Sequence, residues 1–365
     1  SSDVCSSDLA GKSPFSLHGE LPGARDNYVH YVQDPFDIGS LVRPYVKWEY
    51  NLPSGVVAKE VLRRAHTVMH SEPAGPVYLT LPRETLIEPW PIERVRSYPA
   101  ERFGPAQQGN LPPEAVQQVA RALMQAHNPL VITSYLGRKP EAVQALEALA
   151  RLCGIRVVEF SPSWLCISRE SPCFFGFDPT PFLPDTDLGL LLDIDVPWLP
   201  HATQPREDTQ WLHIDMDPVK KDFPMWGFAS DARWPADCAV ALRAIHEAVE
   251  SLADEAFHAR VRDRMRSWPD LQAQRRAKWA AAAAEAGGTD RRHRQADALR
   301  HLPCLVRAGH RRAERHGHAR RMQQVLGQVL VLRDGLGHGA GGIDFGRLNP
   351  ALAMARSEEH TSELQ

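Results

Sequence analysis

No apolar run in this 365-residue chain approaches the ~20 residues that cross a bilayer. The longest, LGLLLDIDV, carries aspartates and reads as a buried strand, so no membrane partner is expected. An excess of one charge is missing too. Lys and Arg number 42 against 45 Asp and Glu, a net charge of −3, which gives no global field for nucleic acid or anionic lipid. The opening SSDVCSSDLAGK lacks both a basic start and an apolar stretch, so no secretory signal is expected. The six cysteines include no C-x-x-C pair, which favours reduced thiols and a cytoplasmic setting. There is no G-x-S-x-G, no Walker A loop, no internal repeat and no His/Cys spacing typical of a metal site.

What is present is alternation. Hydrophobic residues make up 43% and charged residues 24%, a globular balance with room for about two domains. Ser54 is placed to cap a helix whose Val57, Val61, Ala65, Val68 and Met69 share one face. Pro73, Gly75 and Pro76 end it, and PVYLTLP follows as a strand. Residues 88–112 are proline-rich and aperiodic, and read as a linker. From Pro113 a second unit begins. EAVQQVARALMQA is a helix with Val116, Val119, Ala120 and Leu123 inward; NPLVITS is a strand, PEAVQALEALARLCG a helix, and IRVVEF a strand. DLGLLLDIDVP and QWLHIDMDP add two strands, and ADCAVALRAIHEAVESL a closing helix. This order predicts an α/β fold: a parallel-sheet, Rossmann-like domain over 113–250, preceded by a partial α/β domain over 10–87. A helical extension is expected over 251–288.

The two ends and the last quarter depart from this pattern. One codon choice for DVCSSDL (Asp3–Leu9) is the reverse complement of one for RSEEHTS (Arg356–Ser362). Residues 1–9 and 356–365 are therefore read as adapter-derived and set apart from the fold, with natural coding sequence expected beyond both. From Thr289 onward Arg and His crowd the chain, as GC-rich DNA does when read out of frame, so 289–355 is expected to be an out-of-frame segment. The alternatives for that stretch are a solvated basic helix and, for residues 291–321, a nucleic-acid-binding arm with strongly salt-dependent affinity.

Few short motifs carry chemistry. GHGAGG at 337–342 matches G-x-G-x-x-G, but IDFGRLNP after it is a poor helix, and a dinucleotide loop needs one. His66 and His70 lie one helical turn apart, a metal-pair spacing that reads first as a helix surface facing solvent or a subunit. Cys166, Cys173 and Asp178 read as core and loop residues. Asp193 and Asp195, like Asp215 and Asp217, sit at strand ends, where open sheets place ligand-binding groups. Carboxylates there also bond loop amides or cap helices.

In order and spacing, several segments resemble one family. They are LPGARDNYVHYVQDPFDIGSLVRPYVKWEY, EPAGPVYLTLPRE, NPLVIT, LCGIRVVE, DLGLLLDIDVPW and WLHIDMDP. Together they are similar to the end of the pyrimidine-binding domain and the central domain of thiamine-diphosphate enzymes, nearest the acetolactate-synthase large-subunit type. The resemblance covers about residues 20–288. It implies a lyase or transferase acting on 2-keto acids, with thiamine diphosphate and Mg²⁺ as cofactors and a homodimer or homotetramer as the working assembly. Gln33 and Lys47 match positions that lie near the substrate entrance in that family and are the candidate catalytic residues; a strand-end hydrogen bond and a surface cation are their plain readings. The family's activating Glu and its GDG…N diphosphate motif have no counterpart here, so this chain alone is expected to be inactive and no metal ligand is assigned. Acetolactate synthases also hold FAD on a glycine-rich turn after the first central strand. Here that turn is TSYLGRKP, in which Tyr135 and Leu136 obstruct close backbone approach and argue against FAD. A non-catalytic Rossmann-like nucleotide-binding protein is the other reading of 113–250, but it leaves VQDPF and KWEY unexplained.

Overall fold

The computed structural model describes residues 7–286, which form two parallel sheets joined by a linker. The expected out-of-frame segment, the basic stretch 291–321, GHGAGG and residues 356–365 lie outside the described residues. Among the described residues no helix is long and apolar enough to cross a membrane.

The first sheet has the order β1-β3-β2, from β1 (Ser7–Lys12), β2 (Trp48–Asn51) and β3 (Val77–Pro82), all parallel. Two short helices, α1 (Val29–Val32) and α2 (Ile38–Val42), precede β2. Ser54 accepts from the Val56 amide and caps the tight turn that leads into α3 (Ala58–His70). From that helix Val61 and Ala65 are buried, joining Leu52, Val77 and Leu79 in a small core, with Val57, Val68 and Met69 packed against it. α4 (Arg83–Ile87) follows β3 directly. Residues 7–9, set apart above as adapter-derived, form the first half of β1 and pair with Val77, Tyr78 and Leu79. Strand pairing uses backbone groups and constrains side chains weakly, and Leu9 remains 59% exposed.

Residues 88–112 contain two 3₁₀ turns, and neither α-helix nor strand. They run along α3, where Lys59 donates to Val95 O at 3.0 Å and Thr67 to Phe103 O at 2.7 Å.

The second sheet has the order β5-β4-β6-β7-β8, again all parallel. Its strands are β4 (Pro129–Thr133), β5 (Arg156–Glu159), β6 (Leu188–Leu192), β7 (Gln210–Asp215) and β8 (Ala232–Pro235). Every residue of β4 and β6 is buried, as parallel strands covered on both faces require. α5 (Pro113–Gln125) and α6 (Pro140–Cys153) both begin with proline, whose missing N–H costs nothing in a first turn. α6 ends at Gly154, whose φ of 60° is the left-handed conformation that glycine adopts without strain. α7 (Cys238–Leu252) is capped by Asp237, which accepts from the Ala239 and Val240 amides, and it packs on both α5 and α6. α8 (Glu255–Met265), capped by Asp254, and α9 (Trp268–Ala286) complete the unit.

The β5–β6, β6–β7 and β7–β8 connections hold no α-helix. Aromatic side chains fill them instead. Phe175 meets Trp268 edge-on at 4.8 Å, and Trp198 packs against Trp211 at 4.7 Å and Phe228 at 5.1 Å. Trp211 on β7 is the register partner of Gly189 on β6, and a Cβ on Gly189 would lie 2.0 Å from the indole. Only glycine fits there.

Candidate functional site

In a sheet of order 2-1-3-4-5 the connections diverge between the first and third strands, and ligands bind beyond the carboxyl ends of the strands at that point. Here the point lies between β4 and β6. Four acidic residues follow β6 and complete or follow β7; Lys220 pairs with two of them, Asp195 and Asp215, and Arg138 with a third, Asp193.

Asp215, the last residue of β7, is wholly buried. Its carboxylate accepts the Ile194 and Asp217 amides, each at 2.9 Å, and the Lys220 ammonium at 2.9 Å. The Tyr135 hydroxyl lies 2.9 Å from both of its oxygens, and His213 Nε2 lies 3.3 Å away. Burial opposes ionisation, but the His213 hydrogen bond and the Lys220 charge outweigh it and hold the carboxyl well below the usual range. Lys220 also donates to Asp195 at 3.1 Å and to Tyr135. Burial, followed by the charges of Asp215, Asp195 and Asp193, pushes the Tyr135 phenol far up, so it stays a neutral hydroxyl.

Asp193 differs from Asp215. Its carboxylate pairs with Arg138 at 2.8 Å, and Arg138 also reaches Glu72 at 3.3 Å, next to the end of α3. Burial raises the Asp193 carboxyl to about 6, with the Arg138 charge opposing and the Asp215 charge adding. The Asp193 carbonyl accepts the Ser134 and Tyr135 amides at 3.2 and 3.1 Å, tying the end of β4 to the end of β6. Asp193 and Lys220 hold φ values of 43° and 54°, a region that costs a non-glycine residue about 1–2 kcal/mol. The surrounding bonds over-determine both.

The ion pairs set the protein's own charges beside the crevice, and the β4 turn is closely packed. Leu136 is fully buried, and a Cβ on Gly137 would lie 1.8 Å from the Leu165 carbonyl. A pyrophosphate approaching this turn would meet the 165–166 backbone. The turn does not fit the diphosphate of FAD.

Gln33 and Lys47 lie elsewhere, with the first sheet. Gln33 ends α1, is exposed, and its backbone N–H donates to Val29 O at 3.0 Å. Lys47 precedes β2, and its ammonium donates to Ser71 O at 2.6 Å, at the carboxyl end of α3. Partial burial pulls the Lys47 amine below its ordinary value, with Glu72 opposing. No bond joins Gln33 to Lys47 among the described residues. His66 and His70 lie with ring centres 4.6 Å apart on α3. Among the described residues no group of three His, Cys, Asp or Glu side chains could hold a metal ion. Cys166 and Cys173 are buried, and burial pushes both thiols up to about 12, so neither is a thiolate.

The carboxylates at the strand ends were visible in the sequence as a pattern. Their partners were not. Tyr135 and Asp215 are 80 residues apart, and Lys220 reaches the site only through its left-handed backbone. The signal available was indirect: buried carboxylates need a cation, and Arg138, Lys139, Lys220 and Lys221 stand in adjacent loops.

No protein-family model matches the chain, and no curated protein matches it. Solved structures do. One, from Mycobacterium smegmatis and described as thiamin diphosphate-dependent, is 20% identical with a TM-score of 0.47, covering 62% of this chain and 44% of that one. A thiamine diphosphate-dependent 4-hydroxybenzoylformate decarboxylase of Rhodococcus jostii RHA1 is 19% identical with a TM-score of 0.47, covering 59% and 42%. Benzoylformate decarboxylase from Polynucleobacter necessarius is 19% identical with a TM-score of 0.47, covering 62% and 43%. The chain spans less than half the length of each of them.

Proposed function

We propose that this chain is part of a thiamine-diphosphate-dependent enzyme that decarboxylates or ligates 2-keto acids, of a type related to the acetolactate-synthase large subunit. One observation carries the reading. The resembling segments fall in order on KWEY at β2, GPVYLTLPRE at β3, NPLVIT at β4, DLGLLLDIDVPW at β6 and WLHIDMDP at β7. The proline-rich linker separates the first two segments from the rest. The closed β4 turn favours a relative without FAD.

When bound, thiamine diphosphate supplies a nucleophilic carbon and an electron sink for the substrate carbanion. The residues here do not fit that cofactor: the sequence holds no counterpart of the activating Glu or the GDG…N motif, and no metal-ligand group occurs among the described residues. This chain's share is scaffold, with the second sheet holding the first through Arg138 and Glu72. In the complete enzyme a second copy supplies the diphosphate-binding surface, and Gln33 and Lys47 stand at the substrate entrance.

Two measurements test this. Calorimetry of the 365-residue chain with thiamine diphosphate and Mg²⁺ should show no binding in the micromolar range; micromolar affinity would refute the scaffold assignment. A longer protein that joins residues 10–288 to the missing Glu and GDG…N segments should turn over one or more of a panel of 2-keto acids. Gln33→Ala should lower that turnover, while exposed Arg121→Ala leaves it unchanged. An enzyme inert to the whole panel would end the reading, whereas equal effects of the two substitutions would remove only the placement of Gln33.

A further inference from the structure

At the amino-terminal edge of the second sheet, away from the ionic network, lies a cavity of about 400 Å³. His127 and Asn128 line it from the turn entering β4, Arg156 from the first position of β5, and Arg260, Asp263 and Arg264 from α8. Trp268, packed against Phe175, closes part of its wall.

The plain reading is that these arginines cap helices. Arg264 donates to Cys153 O at 2.7 Å, Gly154 O at 3.2 Å and Ala126 O, and Arg260 donates to Met124 O at 2.8 Å. These carbonyls end α6 and α5, so capping is real. It does not balance the charge. A helix end supplies only about half an elementary charge. Among the described residues no carboxylate ion-pairs with Arg260 or Arg264; Asp263 instead pairs with Arg266 at 2.8 Å. Arg156 pairs with Asp185 at 3.0 Å. The lining therefore brings three guanidiniums and one carboxylate to one cavity. Burial also pulls the Arg264 guanidinium below its ordinary value, with the charge of Asp187, whose carboxylate accepts the His127 and Asn128 amides, opposing.

Guanidinium forks match the oxygens of carboxylate and phosphate. Three guanidiniums from two elements suit a group with three peripheral oxygens better than a carboxylate with two. The volume exceeds that of a single oxyanion and falls in the range of small-ligand pockets, about 300–1,000 Å³. We propose that this cavity binds a phosphate monoester of small-metabolite size, with Arg156, Arg260 and Arg264 taking the phosphate oxygens. The site is independent of the thiamine-diphosphate reading.

Calorimetry on the full chain in low-salt, phosphate-free buffer tests it with three probes: glycerol 3-phosphate, inorganic phosphate and succinate. Glycerol 3-phosphate should bind with one site per chain, more tightly than inorganic phosphate, and both more tightly than succinate. Arg260→Gln, which gives up one backbone hydrogen bond of an exposed residue, should weaken both phosphate probes about tenfold, the effect of one charge-assisted hydrogen bond. Asp263→Asn should tighten them by removing the one carboxylate that lines the cavity. Because Arg264 caps two helices, Arg264→Gln is to be read only beside its unfolding midpoint, and the decision rests on the other two variants. Absence of binding, succinate binding as tightly as the esters, or an Arg260→Gln chain that binds like the parent would overturn the site. Equal affinity for inorganic phosphate and the ester would assign it to free phosphate and overturn the ester.

Discussion

The two sheets are built from similar strands, yet they are finished to different degrees. In the second, β4 and β6 are buried at every position, and one continuous core runs through α5, α6, α7 and the aromatic connections. In the first, β3 is nearly as buried, but the core it belongs to consists of Leu52, Val61, Ala65, Val77 and Leu79. In the segment that leads into β2, Tyr28, Tyr31, Val32, Leu41 and Tyr45 stand exposed, Tyr28 at 78% and Val32 at 73%. An isolated exposed apolar side chain means little, but five of them within one short segment mark a surface that asks for cover. The second region satisfies its strands from within the chain. The first has the strand of a larger sheet and the core of a small one.

Unfolding experiments can break that contrast, and the largest effect should come from the cores. Leu190→Ala should cost about 4 kcal/mol and Leu79→Ala about 2, because a thin core relaxes or hydrates more readily around a lost side chain. Chemical denaturation should show two transitions, the earlier moved by Leu79→Ala and the later by Leu190→Ala. A single transition shifted equally by both would erase the distinction. Next in size, Lys220→Met should destabilise the later transition by about 3 kcal/mol, since it strips the buried Asp215 of its ammonium partner. An unchanged later midpoint would mean that the network is not holding the second sheet.

A third test uses pH. The Asp193 carboxyl is raised from 3.8 to about 6, so between those values the native state holds a proton that the unfolded chain has released. Stability of the second region should therefore fall as pH rises from about 4 to about 6, by about 3 kcal/mol in all. Asp193→Asn should flatten that slope, and a slope that survives it must come from another group. Asp215 works in the opposite sense: its carboxyl is held down in the native state, so its contribution disappears only as the solution turns more acid than the ordinary carboxylate range. The smallest effect is expected at the first sheet's surface. Lys47→Ala loses one exposed hydrogen bond to Ser71 and should change stability by no more than about 0.5 kcal/mol. A larger loss would show that this ammonium holds the end of α3 against β2.

The strands of the second sheet were legible because each is a short apolar run bounded by turn residues and followed by a periodic helix. Ala115, Val119, Ala120 and Leu123 fall inward on α5 where the helical period puts them; Val116 is half-buried at the edge of the stripe. β8 was missed: ARWP has alternating half-exposed residues and a terminal proline, and only pairing with β7 makes it a strand. β2 was missed for a similar reason, since WEYN acquires its conformation from β3. Over the later part of the sheet the cover was not legible, because tryptophan and phenylalanine in aperiodic loops cover apolar surface without leaving a period to read. At the strand ends the acidic residues were legible, but the Tyr135 hydroxyl on Asp215 comes from 80 residues away, and Asp193 and Lys220 hold left-handed backbones, which composition does not encode.

Gly189 and Trp211 have a consequence for how the sheet finds its alignment. Parallel strands joined by long connections can in principle pair in several offsets, and a slip of one residue sends every side chain to the wrong face. β6 reads LGLLL, so four of its five positions are the same residue and discriminate poorly between offsets. The fifth has no side chain, and the indole of Trp211 lies over it. Sliding β7 in either direction would drive that indole into a leucine. The pair acts as a lock and key between a repetitive strand and its neighbour, accepting one alignment during assembly and rejecting the adjacent ones by steric clash.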